Sequence, residues 1–524
     1  MNNLRASKIK FFIILAIISL MMPVFLSASD TVYVIRQIEF EIVGRTKPFA
    51  LMSCGEFAYG ERIVGEENLE RYLAQKRQLL LNQLVLQDAK IEHTVGGSEE
   101  DGALPVTLFV YVEDTWNLVI FPQPKYDSND GFSIILKARD YNFLGTMGAV
   151  KLDLGYDQKD NKQNVNFAID SSIPFNAMGL NWNFIFNHSL GYTYNEPFYY
   201  QTLTGLSLEL PYQLTKLTLG FNQYLTVNEK NTDEDKDIYG LGERFYGPYG
   251  STELYANLKI PFGIEVGDYG EVSYTPGLSG RINYPYGGMD ESRKPLVTLS
   301  HSIGFGRVDW NGNYRKGLQA SISNSYGWYF DRVDAPLKIS VEGNASVYRQ
   351  FFKFLGLSAR FNYRQWWHWS DMESHFIPYY NAGDFIRGVL NTDIRAHQIF
   401  TFNLDIPVRI FRFWPSDWFN NPKFRFYNFE MHLSPFTDMA FFKGPYSKIK
   451  NPENPHEGAS NISFEDMINT AGFEVIVFPG FFRTLQIRAS LGYDLNRIRN
   501  NGLSLRWGFF PKWNEIFIGL DLHY

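Results

Sequence analysis

An arginine stands where the strand pattern of this chain breaks: Gly383-Asp384-Phe385-Ile386-Arg387-Gly388-Val389 sets a full positive charge between an apolar residue and a glycine. Ion pairing is the chemistry such a side chain offers, because its planar fork matches a carboxylate. Catalysis has no comparable constellation. The sequence holds no G-x-S-x-G, no H-E-x-x-H and no G-x-x-x-x-G-K-S/T, and its nine histidines are scattered. Cys54 is the sole cysteine, which excludes an internal disulfide and any multi-cysteine metal site, and a buried or merely inert thiol is expected. The run Asn228 to Asp237 carries five acidic residues but lacks the ligand spacing and central glycine of a calcium-binding EF-hand, so it reads as a solvated external loop. No enzyme activity, metal or cofactor is expected.

The elements that must position Arg387 are strands. Val150, Leu152, Leu154 and Tyr156 alternate with Lys151 and Asp153; Leu180, Trp182, Phe184 and Phe186 alternate with Asn181, Asn183 and Asn187; Leu485, Ile487, Ala489 and Leu491 alternate with Gln486, Arg488 and Ser490. The segment Glu515 to Tyr524 does the same, with Ile516, Ile518, Leu520, Leu522 and Tyr524 on one side and Glu515, Gly519, Asp521 and His523 on the other. A terminal strand exposes a sheet edge unless another strand covers it, so the expected arrangement is a closed barrel in which the last strand meets the first, lipid outside and water inside. Forty-five Phe, 32 Tyr and 11 Trp suit the aromatic girdles of such a barrel. With about 400 residues and roughly 25 per strand and connection, the region should hold about 16 strands. A net charge of -7 gives no reason to expect nucleic acid.

Ahead of the barrel the texture changes. Residues 1–29 carry Arg5, Lys8 and Lys10, an apolar run Phe11 to Leu20 and the small residues Ser27-Ala28-Ser29, which predict a secretory signal peptide. Residues 30–117 read as a small α+β domain: Val32 to Val43 alternates, Glu66 to Asn82 is helical with Leu69, Tyr72, Leu73, Leu79 and Leu80 on one stripe, and Lys90 to Val95 and Val106 to Glu113 alternate again. Residues 118–524 form the barrel. The fold class is therefore mainly β, a transmembrane antiparallel barrel preceded by an α+β domain.

The segment Ile386-Arg387-Gly388-Val389 resembles the V/I-R-G-F/Y loop signature of the BamA/TamA-type superfamily of outer-membrane insertases and transporters, with valine at the aromatic position. The resemblance implies that the loop follows the eleventh strand of a 16-stranded barrel, folds into the lumen and pairs its arginine with acidic residues on the next two strands. Phe400 to Pro407 is similar to the first of those strands and supplies Asp405; Phe436-Thr437-Asp438-Met439-Ala440 is similar to the F-x-D-x-G signature of the second and supplies Asp438, with alanine in place of glycine. Parity agrees: Phe402, Leu404 and Ile406 face lipid and turn Asp405 inward, while Met431, Leu433 and Met439 turn Asp438 inward with Glu430 and His432. Arg387, Gly388, Asp405 and Asp438 are thus the expected loop lock, with Glu430 read as a solvated lumen residue.

Arg139 to Thr146 resembles the family's opening of the first strand, and Phe517 to Tyr524 its C-terminal β-signal, with Gly519, Leu522 and Tyr524 at the marked positions. The α+β domain resembles one POTRA domain, whose first helix would lie between Lys47 and Arg62. The resemblance implies a protein of the outer membrane of a diderm bacterium, its POTRA-like domain in the periplasm. It would assist insertion or translocation of client polypeptides, with outer-membrane lipid and periplasmic or lipoprotein accessory factors as partners. The alternative is a dedicated secretion pore or porin-like channel for one partner.

Overall fold

A computed structural model of the chain describes residues 31–520 apart from 100–101, 128–130, 160–161, 213–214, 231–244, 247, 286–294, 331–336, 369–379, 390–394, 397, 444–463, 465–466, 502–504, 507–509 and 512–513. The expected signal segment, Asp233 to Asp237 of the acidic run, and Leu522 and Tyr524 lie outside the described residues.

The N-terminal part is a four-stranded sheet in the order Arg62–Val64, Val32–Val43, Leu104–Asp114, Leu86–Val95. Alternation along Leu104–Asp114 buries Val106, Leu108, Val110 and Val112, as a strand with one covered face requires. The helix Glu66–Asn82 starts with Glu66 and Glu67 in the first turn, where the helix dipole favours acid. Its stripe buries Leu69, Tyr72, Leu73 and Leu80, with Leu79 half-buried. A shorter helix, Pro48–Cys54, falls between Lys47 and Arg62, opened by a proline whose missing N–H is no loss in a first turn. The Cys54 thiol donates to the Leu51 carbonyl at 3.7 Å, and burial pushes it up to about 12, so it stays protonated and unreactive at neutral pH.

The larger part is a closed antiparallel barrel of nineteen strand segments in which Asn514–Leu520 meets Leu118–Asp127. Gln398–Asp405 and Val408–Phe413 are successive halves of one strand, since both pair with Phe429–Lys443 on one side and with Leu355–His368 on the other. The barrel therefore has eighteen strands among the described residues, two more than the 16 of the resemblance. Those two are identifiable. From Ala149–Lys159 to Asn514–Leu520 there are sixteen strands, and the segment carrying Arg387 follows the eleventh of them, Leu355–His368. Ahead of these sits an additional hairpin, Leu118–Asp127 with Gly131–Asp140. The segment Arg139 to Thr146 accordingly runs from the end of this hairpin toward Ala149–Lys159, the first of the sixteen.

The outer surface shows why the sequence alternates. Ile120, Leu254 and Ile282 are each more than 60% exposed, and Leu299 and Ile322 more than half. An apolar band of this extent is tolerable only against lipid. Among the described residues no helix is long and apolar enough to cross a membrane. Because every ladder is closed, unheated protein is expected to run faster than boiled protein on a denaturing gel. Equal mobility before and after heating would count against closure.

Candidate functional site

Inside the barrel, burial is sharpest on the C-terminal strands. In Phe429–Lys443 every second residue is buried, Glu430 through Phe442, and in Gln398–Asp405 the buried set is Ile399, Thr401, Asn403 and Asp405. Parity thus turns Asp405 and Asp438 inward, and what covers them is the segment around Arg387.

Arg387 is 2% exposed. Its Nε and its own backbone N–H donate to Asp438 Oδ2 at 2.9 and 2.8 Å, and Nη2 donates to Asp438 Oδ1 at 2.7 Å. Nη1 donates to Asp405 Oδ1 at 2.6 Å and stands 3.2 Å from Glu474 Oε1. The guanidinium lies 3.6 Å from the centre of the Phe436 ring, which caps its open face. Two more arginines complete the cluster: Arg360 reaches Asp405 at 2.5 Å and Arg488 reaches Glu474 at 3.1 Å. Three guanidinium groups thus face three carboxylates, which is the condition under which charges can be kept this dry.

The neighbours of Arg387 fix the backbone that carries it. Gly388 has φ +87°, and a Cβ there would lie 2.9 Å from the Tyr493 backbone nitrogen. Gly492 is equally close from the other side, since its Cβ would come 2.7 Å from the Gly388 nitrogen. Two glycines are needed because two backbones touch. The Gly388 N–H donates to Glu515 Oε2 at 2.5 Å, and Asn403 Nδ2 donates to the Phe385 carbonyl at 3.0 Å. Ile386 and Val389 are buried with Ala396, Ile399, Ala440, Phe442 and Ile468, so the valine and alanine that depart from the family signatures are both packed in one apolar cluster.

All four residues of the expected lock are brought together. Glu430 is not a partner of Arg387; it accepts from Asn313 at 2.9 Å and pairs with Arg409 and Arg412, both at 3.3 Å. Gly519 is buried on the last strand, and a Cβ there would come within 2.5 Å of the inward-facing Phe517 ring, over which Arg488 lies at 4.1 Å. Sequence reasoning missed Glu474 and Arg360, and placed Arg488 and Glu515 on the inner face without assigning them partners. A usable sign existed for Glu474: it shares strand parity with the buried Ile476 and Phe478, and an acid there calls for a cation. Among the described residues no three of the side chains His, Cys, Asp or Glu are grouped to hold a metal ion.

Among solved structures the chain is similar to CdiB from Escherichia coli, with a TM-score of 0.50 and 10% identity over 94% of this chain and 76% of that one. It is also similar to CdiB from Acinetobacter baumannii, at TM-score 0.47 and 12% identity over 93% of this chain and 74% of that one. A third is BamA from Haemophilus ducreyi lacking POTRA domains 1-3, at 0.39 and 12% over 93% and 84%. No family model and no curated protein matches the sequence. At such identities the likeness to the Escherichia coli protein establishes the fold.

Proposed function

We propose that this chain is a BamA/TamA-type barrel of the bacterial outer membrane that helps other polypeptides insert into that membrane or cross it. The observation that carries the reading is the Arg387 lock. Through it one in-folded segment is braced against Asp405, Asp438, Glu474 and, by way of Gly388, Glu515 on the last strand. The last strand is thus held from the lumen on the side of its inward residues. Its outer edge meets the first strand, with Phe517 opposite Asp127 and Ile518 opposite Tyr126. Were this seam to part, the freed edge of the last strand would template an incoming strand by β-augmentation.

The N-terminal sheet and its two helices act in this reading as a periplasmic POTRA-like module that receives clients along a sheet edge. The lumenal side of the C-terminal strands is filled by the lock and its apolar cluster, which favours polypeptide handling at the barrel wall over an open porin-like channel. Depletion of the protein followed by quantification of the outer-membrane and secreted proteomes tests the proposal. Broad loss of outer-membrane proteins supports assembly, and loss of one secreted protein supports dedicated export. An unchanged proteome in both fractions would overturn it.

A further inference from the structure

A second segment leaves the barrel wall for the lumen. Leu296–Asn311 and Tyr314–Tyr329, the tenth and eleventh strands counted from Leu118, pair with each other from Leu296 opposite Tyr329 to Asn311 opposite Tyr314. Their outer ladders stop earlier. Toward Glu271–Pro285 the last pair is Ser273 with Gly304, and toward Leu337–Phe352 it is Tyr348 with Gly317. Val272 on one side, and Arg349, Gln350 and Phe352 on the other, are strand residues that would continue those ladders; the latter three pair with Leu355–His368 instead. The hairpin of residues 305–316 thus runs on alone. A glycine with positive φ stands at each point of departure, Gly306 at +91° and Gly317 at +135°. A Cβ on either would run into a carbonyl oxygen across the hairpin, that of Leu318 or of Arg307.

Its destination is fixed by three contacts. Asn313 Nδ2 donates to Glu430 Oε2 at 2.9 Å, the Tyr314 hydroxyl accepts from the Arg409 backbone N–H at 3.1 Å, and the Tyr314 and His432 rings stack with centres 4.8 Å apart. Glu430 and His432 belong to Phe429–Lys443, four strands farther round, which is roughly 19 Å along the wall at ~4.8 Å per strand. A hairpin that followed the wall could not touch them. They are inward residues of the same parity as Asp438, so the hairpin lies inside the barrel. Tyr314 is buried there, while Asn311 and Gly312 at the tip stay exposed.

The hairpin approaches the lock from the opposite end. Strands alternate in direction, so the turn after the tenth lies at the end where the chain enters the barrel, and the Arg387 segment, after the thirteenth, comes in from the other. Between the two inserts is a cavity of about 60 Å³, lined by Trp310, Tyr314 and Arg315 of the hairpin and by Arg360, Asp405 and Glu474 of the charge cluster. It has room for a few waters.

We infer that the hairpin of residues 305–316 is a second lumenal insert, docked on Glu430 and His432, that closes the underside of the Arg387 lock to anything larger than water. The inference rests on the proposed function only for its consequence, that a client polypeptide arriving from the N-terminal end must displace this hairpin before it reaches the lock.

Ser434, buried next to His432 and lining the cavity, supplies the measurement. In a chain carrying Cys54→Ala, Ser434→Cys is the single thiol, and a methanethiosulfonate bearing a trimethylammonium group should label it slowly in the folded barrel. Adding Asn313→Ala and Tyr314→Ala removes two hydrogen bonds and a ring pair, and the labelling rate should rise about tenfold or more. Gly306→Val leaves every side chain that lines the cavity in place, so it separates movement of the hairpin from loss of bulk; labelling should rise there too. Should Gly306→Val lack the fast-migrating folded band, Glu430→Ala decides in its place, because it removes the acceptor of Asn313 from the wall side. Fast labelling in the parent overturns the inference, as does protection retained in the variants or a rise confined to the variant that lacks Tyr314. Client levels are read in the same strains. Fast labelling with unchanged client levels leaves the closure standing and counts against the proposed function.

Discussion

Arg387→Ala is expected to release the in-folded segment while leaving the outer barrel assembled. The substitution removes one of three cations from a cluster whose carboxylates are almost fully buried, Asp438 at 0% and Glu474 at 4%. Breaking a buried pair on one side typically costs about 3–5 kcal/mol, far more than the loss of an exposed one. Arg360 and Arg488 remain, but each already serves its own carboxylate, and neither touches Asp438 in the observed geometry. Limited proteolysis of the folded protein, with cleavage mapped between residues 380 and 400, should change from protected to susceptible, and client assembly should fall. Arg387→Lys should recover little, because an ammonium cannot reproduce the paired donation to Asp438. Removing the acid as well, in Arg387→Ala with Asp438→Ala, should cost less than the two single changes together, since no unpaired charge is then left on Asp438. Protection equal to that of the unsubstituted protein in Arg387→Ala would mean that the guanidinium does not hold the segment.

Gly388→Val is expected to have an effect of similar size by a different route. A φ of +87° lies in the left-handed region, which costs a residue with a Cβ roughly 1–2 kcal/mol, and more when it is β-branched. The added carbons would also meet backbone atoms of Gly492 and Tyr493, which cannot swing aside as a side-chain tip can. Overpacking of that sort costs about 1–3 kcal/mol more. The backbone must shift, and with it the N–H that reaches Glu515 and the Arg387 side chain anchored next to it. Proteolysis should therefore report the same release as Arg387→Ala with the guanidinium still present. A variant as protected as the parent would show that the Gly388 and Gly492 backbones are free to separate without undocking the segment.

Both substitutions bear on the seam through Glu515. That carboxylate ties the Gly388 N–H to the last strand, within two residues of Phe517, where the described seam begins. A released segment thus leaves the last strand with one restraint fewer on the inside.

Period-two alternation by itself determined that the chain is a barrel with an apolar exterior, and parity alone was enough to turn Asp405 and Asp438 inward. Side-chain direction in a strand is a local property, so neighbouring residues suffice to read it. Which inward residues stand together is not local. Glu474, Arg360 and Arg488 face the lumen by the same rule as many others, and only the register between strands brings them to Arg387. Glu515 reaches the Gly388 N–H across 127 residues of sequence because the strand that carries it closes the barrel. The strand count behaved likewise. Pro122 and Pro124 mark a poor strand in isolation, since a proline removes a ladder donor. Tertiary structure made that segment a strand by pairing all ten of its residues with Gly131–Asp140 and by bringing the last strand to its other side at Tyr126 and Asp127, a closure that no local residue records.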